Sequence, residues 1–77
     1  MTLLELPCNH EATVVAVQAP TNEEQRLHAI GIYVGSTVTK IQQSVHASAQ
    51  PVCIATDIHS LFAISRRLAA TIKIRPL

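Results

Sequence analysis

The only two glycines of the chain, Gly31 and Gly35, stand four residues apart, and whatever fold the chain adopts must turn sharply there. The residues before them have the form of a short helix. In Thr21-Asn22-Glu23-Glu24, Thr21 can accept from backbone donors of a first turn while Glu24 reaches back, a capping box. Glu23 and Glu24 also suit the positive end of a helix dipole. Leu27 and Ile30 fall at i and i+3 on one face, and Gly31 stands where a helix terminates in a left-handed residue. A helix of about two to three turns does not persist alone in water and needs a sheet to lie against. Gly35 is expected to supply a second positive φ within a turn over Ile32–Ser36.

The rest of the chain supplies that sheet. Ala12 to Ala19, rich in β-branched residues and closed by Pro20, is a strand. Thr37 to Val45 is a polar-faced strand in which Val38, Ile41 and Val45 do not alternate strictly, so a bulge or bend is expected. His46 to Gln50 is a loop. Pro51 to Thr56 is a third strand, with Pro51 at its first position, where a missing donor is tolerated. Asp57 to Ser60 connects it to a fourth, Leu61 to Ser65. Arg66 to Ala70 favours a single helical turn, and Thr71 to Arg75 alternates cleanly with Ile72 and Ile74 inward. Before all of these, Leu3–Leu6 is short and apolar, Pro7 stops any helix it begins, and Cys8–Glu11 is a turn. Five short strands with one helix after the first predict a small, mainly β, closed barrel over residues 1–77 as a single domain. Closure suits a chain with few charged residues to protect an open edge.

Composition narrows the function. Hydrophobic residues make up 48% of the 77 and charged residues 14%, so the chain has enough to bury and is not disordered. Tyr33 and Phe62 are the only aromatics, and the core must come from Val, Ile, Leu and Ala. At this length roughly 60% of the unfolded chain's surface is buried on folding, which leaves apolar surface that can mark an interaction site. A net charge of +1 gives no polybasic footprint, and two aromatics give no stacking platform, so nucleic acid is not an expected partner. No apolar run is long enough to span a membrane. Met1 to Pro7 has neither the basic segment nor the cleavage site of a secretory signal, and Cys8 and Cys53 have no CxxC spacing. The expectation is a cytoplasmic, reduced chain.

The order of these motifs resembles the FeoA family, the SH3-like ferrous iron transport protein A that accompanies the bacterial membrane transporter FeoB. The resemblance begins at Leu3, Leu6 and Pro7. It is densest over Arg26-Leu27, Ile30-Gly31-Ile32, Gly35-Ser36 and Val38, continues through Pro51-Val52 and Ile54, and ends at Ala69, Ile72 and Ile74. Two glycines, a basic residue and four apolar positions fall in register in its central part. The chain departs from the family pattern at Ala49-Gln50, where Gly-Asp is usual, at Ile64-Ser65, where Leu-Arg is usual, and at Leu68, where an acidic residue is usual. The same barrel occurs as a C-terminal domain of DtxR-like iron-dependent repressors, but a separate chain without a helix-turn-helix resembles the stand-alone transport protein more.

The resemblance implies an SH3-like barrel without enzymatic activity that assists Fe(II) uptake by binding the cytoplasmic GTP-binding domain of FeoB, and so lies at the membrane only through that partner. Arg26, Leu27, Ile30, Gly31 and Gly35 are the proposed contact surface, while Arg66 and Arg67 are either a solvated face or a local contact for an acidic partner surface. Leu27 and Ile30 are also natural core residues; if one is partly exposed beside Arg26, the helix is the docking ridge. The alternative is a metal sensor or carrier. Cys8, His10 and His59, with Cys53, His28 and His46, offer thiolate and imidazole suited to Fe(II) or Zn(II). Against it, Cys8-Asn9-His10 is a lone Cys-x-His, and Cys53 lies in an apolar strand as a small hydrophobe would. No cofactor is expected. No nucleophile, base and orienting group can be picked out, since Asp57 is the only aspartate and the serines lack a nucleophile elbow. Self-association through an exposed strand is a further expectation.

Overall fold

The computed structural model describes residues 1–41, 51–57 and 60–77. The chain runs β1 (Glu11–Val17), α1 (Thr21–Ala29), β2 (Thr37–Lys40), β3 (Val52–Thr56), β4 (Leu61–Ile64), α2 (Arg66–Ala69) and β5 (Ile72–Pro76). The strands form one antiparallel sheet in the order β4-β3-β2-β1-β5. The mainly β architecture with a helix between the first two strands is as expected, but the barrel is not closed. Among the described residues no ladder joins β4 to β5. The reason lies at the outer edge of β5, which the N-terminal segment occupies. Leu3 N–H donates to the Ile72 carbonyl (2.9 Å) and Ile74 N–H to the Met1 carbonyl (2.8 Å), with Thr2 bridged to Lys73.

The core is entirely aliphatic. Ala12, Val14, Val38, Val52, Ile54, Ile64, Ile72 and Ile74 come from the inner face of the sheet. Leu27 and Ile32 cover it from α1 and the turn that follows, Ala69 from α2, and Leu3 and Leu6 from the N-terminal segment. Both aromatics lie outside it: Phe62 is half-buried on β4 and Tyr33 is exposed. Ile72 and Ile74 point inward, as their alternation predicts.

One local expectation needs correction. Thr21 is not the helix cap; Pro20 is, in extended geometry (φ −56°, ψ 153°), and no side chain caps this end. Thr21 is already helical, so the residue three positions before Glu23 is a proline without a hydroxyl. The described part of the strand expected from Thr37, β2, pairs in unbroken register, and a bulge appears in β1. There the register with β5 slips by one residue between Val14 and Ala16, leaving Val15 exposed and turning Val17 toward the core. The last part of that expected strand and the loop His46–Gln50 lie outside the described residues. The single helical turn expected over Arg66–Ala70 is present as α2 and is capped at both ends. Ser65 Oγ accepts from Leu68 N–H (3.1 Å) at its start, and Thr71 Oγ1 donates to the Leu68 carbonyl (2.6 Å) at its end.

The N-terminal segment is held by a lysine that faces inward from β2. Lys40 is 8% exposed, and its ammonium donates to the Leu4 carbonyl at 2.9 Å. At the other end of the same turn, the Thr2 N–H donates to Glu5 Oε1 (2.7 Å) and holds that carboxyl below its ordinary range. Lys40→Ala removes a charge-assisted bond and a packed stem, and is expected to lower unfolding free energy by about 2 kcal/mol. Denaturant titration measures that loss, and hydrogen exchange should show the Leu3 amide losing protection with it.

Candidate functional site: the turn after the first helix

Helix α1 ends in a Schellman closure. Ile32 N–H donates to the Leu27 carbonyl (2.8 Å) and Gly31 N–H to the His28 carbonyl (3.1 Å), with Gly31 at φ +95°. The closure puts Leu27 and Ile32, each 1% exposed, into the same core. A second reversal follows at once. Ser36 N–H donates to the Tyr33 carbonyl (2.9 Å), and Gly35 takes φ +94° at the third position, the signature of a type II turn. The buried Ser36 hydroxyl braces it, accepting from Tyr33 N–H (3.1 Å) and donating to the Tyr33 carbonyl (2.7 Å). Two backbone bonds strap the turn to β1, Gly35 N–H to the Val14 carbonyl (2.8 Å) and Val14 N–H to the Ser36 carbonyl (2.9 Å).

What this scaffold displays is apolar. Tyr33 is 40% exposed and Val34 62%, on a turn with little freedom to withdraw them. Beside them lies a groove of about 260 Å³ lined by Val17, Glu24, His28, Ile32, Tyr33 and Val34. The bulge at Val15 is what brings Val17 to it. The His28 and Tyr33 rings meet at 5.1 Å, tilted by 42°, and form one wall. The groove is smaller than the roughly 300–1,000 Å³ of sites for drug-sized molecules. An apolar side chain of another protein suits it better.

The residues singled out from sequence separate into three kinds. Gly31 and Gly35 shape the backbone. Leu27 is wholly buried, so it supports the surface without belonging to it, whereas Ile30 is half-buried and Arg26 is exposed on the same helix. Arg67 is exposed and reaches Glu23 in the first turn of α1 at 3.5 Å, which sets α2 beside the start of α1; Arg66 is half-buried. Sequence reasoning missed Tyr33, Val34 and Val17. Two apolar residues between two turn-forming glycines were a usable signal for the first pair. Nothing in the sequence signals Val17, because strict alternation puts it on the other face.

The metal candidates come together only in part. Cys8 and His10 share an exposed turn, where His10 Nδ1 lies 3.0 Å from the Cys8 carbonyl oxygen. Cys53 is half-buried on β3 and His28 belongs to the groove, while His46 and His59 lie outside the described residues. Among the described residues no three His, Cys, Asp or Glu side chains converge as metal ligands.

The FeoA domain model matches residues 1–76. The chain belongs to the FeoA family. Among solved structures, an iron uptake regulatory protein (FeoA) is 25% identical at a TM-score of 0.87, the match covering 100% of this chain and 97% of the other. FeoA of Stenotrophomonas maltophilia, solved with zinc and put forward as an SH3 domain protein that activates ferrous iron transport, is 26% identical. Its TM-score is 0.79 over 97% of this chain and 89% of its own. FeoA of Chlorobium tepidum shares the fold at a TM-score of 0.87 and 23% identity, covering 100% of this chain and 70% of that one. No curated protein matches the chain at a significant level. Family membership agrees with the glycine-bracketed motif, whose physical content is the double reversal just described.

Both supports of the turn can be tested separately. A Cβ on Gly35 would meet nothing within 4 Å, so Gly35→Ala is expected to destabilise by conformation alone, by about 1 kcal/mol. Gly35→Asn should recover part of it. Ser36→Ala strips the Tyr33 amide of its partner and should destabilise by about 2 kcal/mol. Urea unfolding of the three variants gives the comparison.

Proposed function

We propose that this FeoA-family chain is a non-enzymatic accessory of ferrous iron uptake that docks on the cytoplasmic GTP-binding region of an FeoB-type transporter. The observation that carries this reading is the rigid turn presenting Tyr33 and Val34 beside an apolar groove. A turn fixed by a buried hydroxyl and two bonds to β1 displays its apolar residues without an ordering cost, and such preorganised anchors dominate protein interfaces. The description of the Stenotrophomonas maltophilia relative as a transport activating factor supports the same direction. In this reading Arg26, on α1, and Arg66 and Arg67, on α2, add charge at the rim, where they affect encounter and salt dependence more than affinity.

Binding is measured by titrating the transporter's cytoplasmic domain with this chain, with and without guanine nucleotide. Val34→Asp alters an exposed side chain and should leave the melting temperature unchanged while weakening binding at least about tenfold. Arg67→Glu is expected to weaken binding less, and only at low salt. Absence of binding in both nucleotide states would overturn the docking reading. Binding that Val34→Asp leaves intact would move the surface elsewhere.

A further inference from the structure

The two edges of the sheet are treated differently. Residues 1–3 cover the edge of β5, but nothing among the described residues covers β4. The bond from Thr56 N–H to the Ser60 carbonyl (3.0 Å) fixes the phase of the β3–β4 ladder. Phe62 and Ile64 therefore turn their backbone groups toward β3, and Leu61 and Ala63 turn theirs outward. Among the described residues those outward groups have no partner. The usual protections of an edge strand are missing too: residues 60–65, Ser-Leu-Phe-Ala-Ile-Ser, contain no charge and no proline. Leu61 is 71% exposed, and Phe62, on the inner face, is only half-buried because the sheet ends there.

We propose that β4 pairs antiparallel with β4 of a second copy of this chain, about a two-fold axis at Phe62. The segment is self-complementary in that register. Leu61 lies opposite Ala63 of the second copy, large against small, and these two residues exchange both backbone bonds on each side of the axis. Phe62 meets its own counterpart in the close, non-hydrogen-bonded position, with Cα atoms ~4.5 Å apart, and covers the open end of the core. Charge fits as well. Asp57 precedes the strand and Arg67 follows it on α2, 3.5 Å from Glu23 of its own chain, so the antiparallel arrangement sets the acidic end of each copy's strand toward the basic end of the other's. Parallel pairing would oppose like charges. Four residues a side bury less than the roughly 1,200 Å² of a standard interface, so the dimer is weak and forms at high local concentration.

Sedimentation of the full chain from micromolar to millimolar concentration should show the mass rising from monomer toward dimer. The amide resonances of Leu61 and Ala63 should shift with that rise. Leu61→Lys, at an exposed position, should keep the melting temperature and raise the dissociation constant about tenfold or more, since each dimer carries it twice. Asp57→Arg and Arg67→Asp should each weaken association, and the two together should restore it. A monomeric mass throughout, a dimer indifferent to Leu61→Lys, or failure of the double reversal to restore association would each overturn the proposal.

Discussion

Everything presented at the candidate site depends on one hydrogen bond, from Ile32 N–H to the Leu27 carbonyl. It closes α1 through Gly31 and so decides which apolar residues face inward. With the closure made, Leu27 and Ile32 are buried together over the inner face of the sheet. The chain then has four residues in which to reach β2, and the second reversal at Gly35 spends them with Tyr33 and Val34 on the outside. A longer connection could have folded those two back against the core. The shortness of the link makes them a surface.

The N-terminal segment solves a related problem. A sheet of this size with an aliphatic core needs cover on its inner face, and α1 and the single turn of α2 do not extend over all of it. Leu3 and Leu6 complete the cover. Their backbone must lie beside β5 to do so, and it takes the edge through which β5 could have met β4. An open sheet is thus the consequence of filling the core from the N-terminus. Lys40 belongs to the same arrangement, since its ammonium ties the Leu4 carbonyl to β2 while its stem lies inside.

Much of this was legible in the sequence because it rests on local chemistry. The β-branched run of β1, the glycine that ends α1, the alternation of Ile72 and Ile74 and the glycine-bracketed motif each carry their reason within a few residues. What was not legible depends on pairing. The slip at Val15 is a property of β1 against β5, and it alone brings Val17 to the groove. The cap at Pro20 instead of Thr21 is a shift of one residue in where the helix begins, and a hydroxyl-to-glutamate spacing does not determine that. The inward lysine was hidden because alternation marks its position as core while its chemistry marks it as surface. Only the nearby Leu4 carbonyl reconciles the two.

The aromatic-poor composition bears on both surfaces proposed here. An aliphatic core packs well in a small sheet without rings, so the two aromatics are left at its margins. Tyr33 stands on the turn and Phe62 at the uncovered edge. Aromatic side chains bring large contact area with little rotamer entropy to lose, which is why they anchor interfaces. In sheet order β2 and β3 separate the strand bearing Phe62 from the one bearing Val17. A partner seated on the turn would therefore leave the β4 edge itself uncovered, and the two surfaces would share only the arginines of α2. A weak self-association would then be strengthened wherever the partner gathers several copies, because pairing between gathered copies acts at their local concentration.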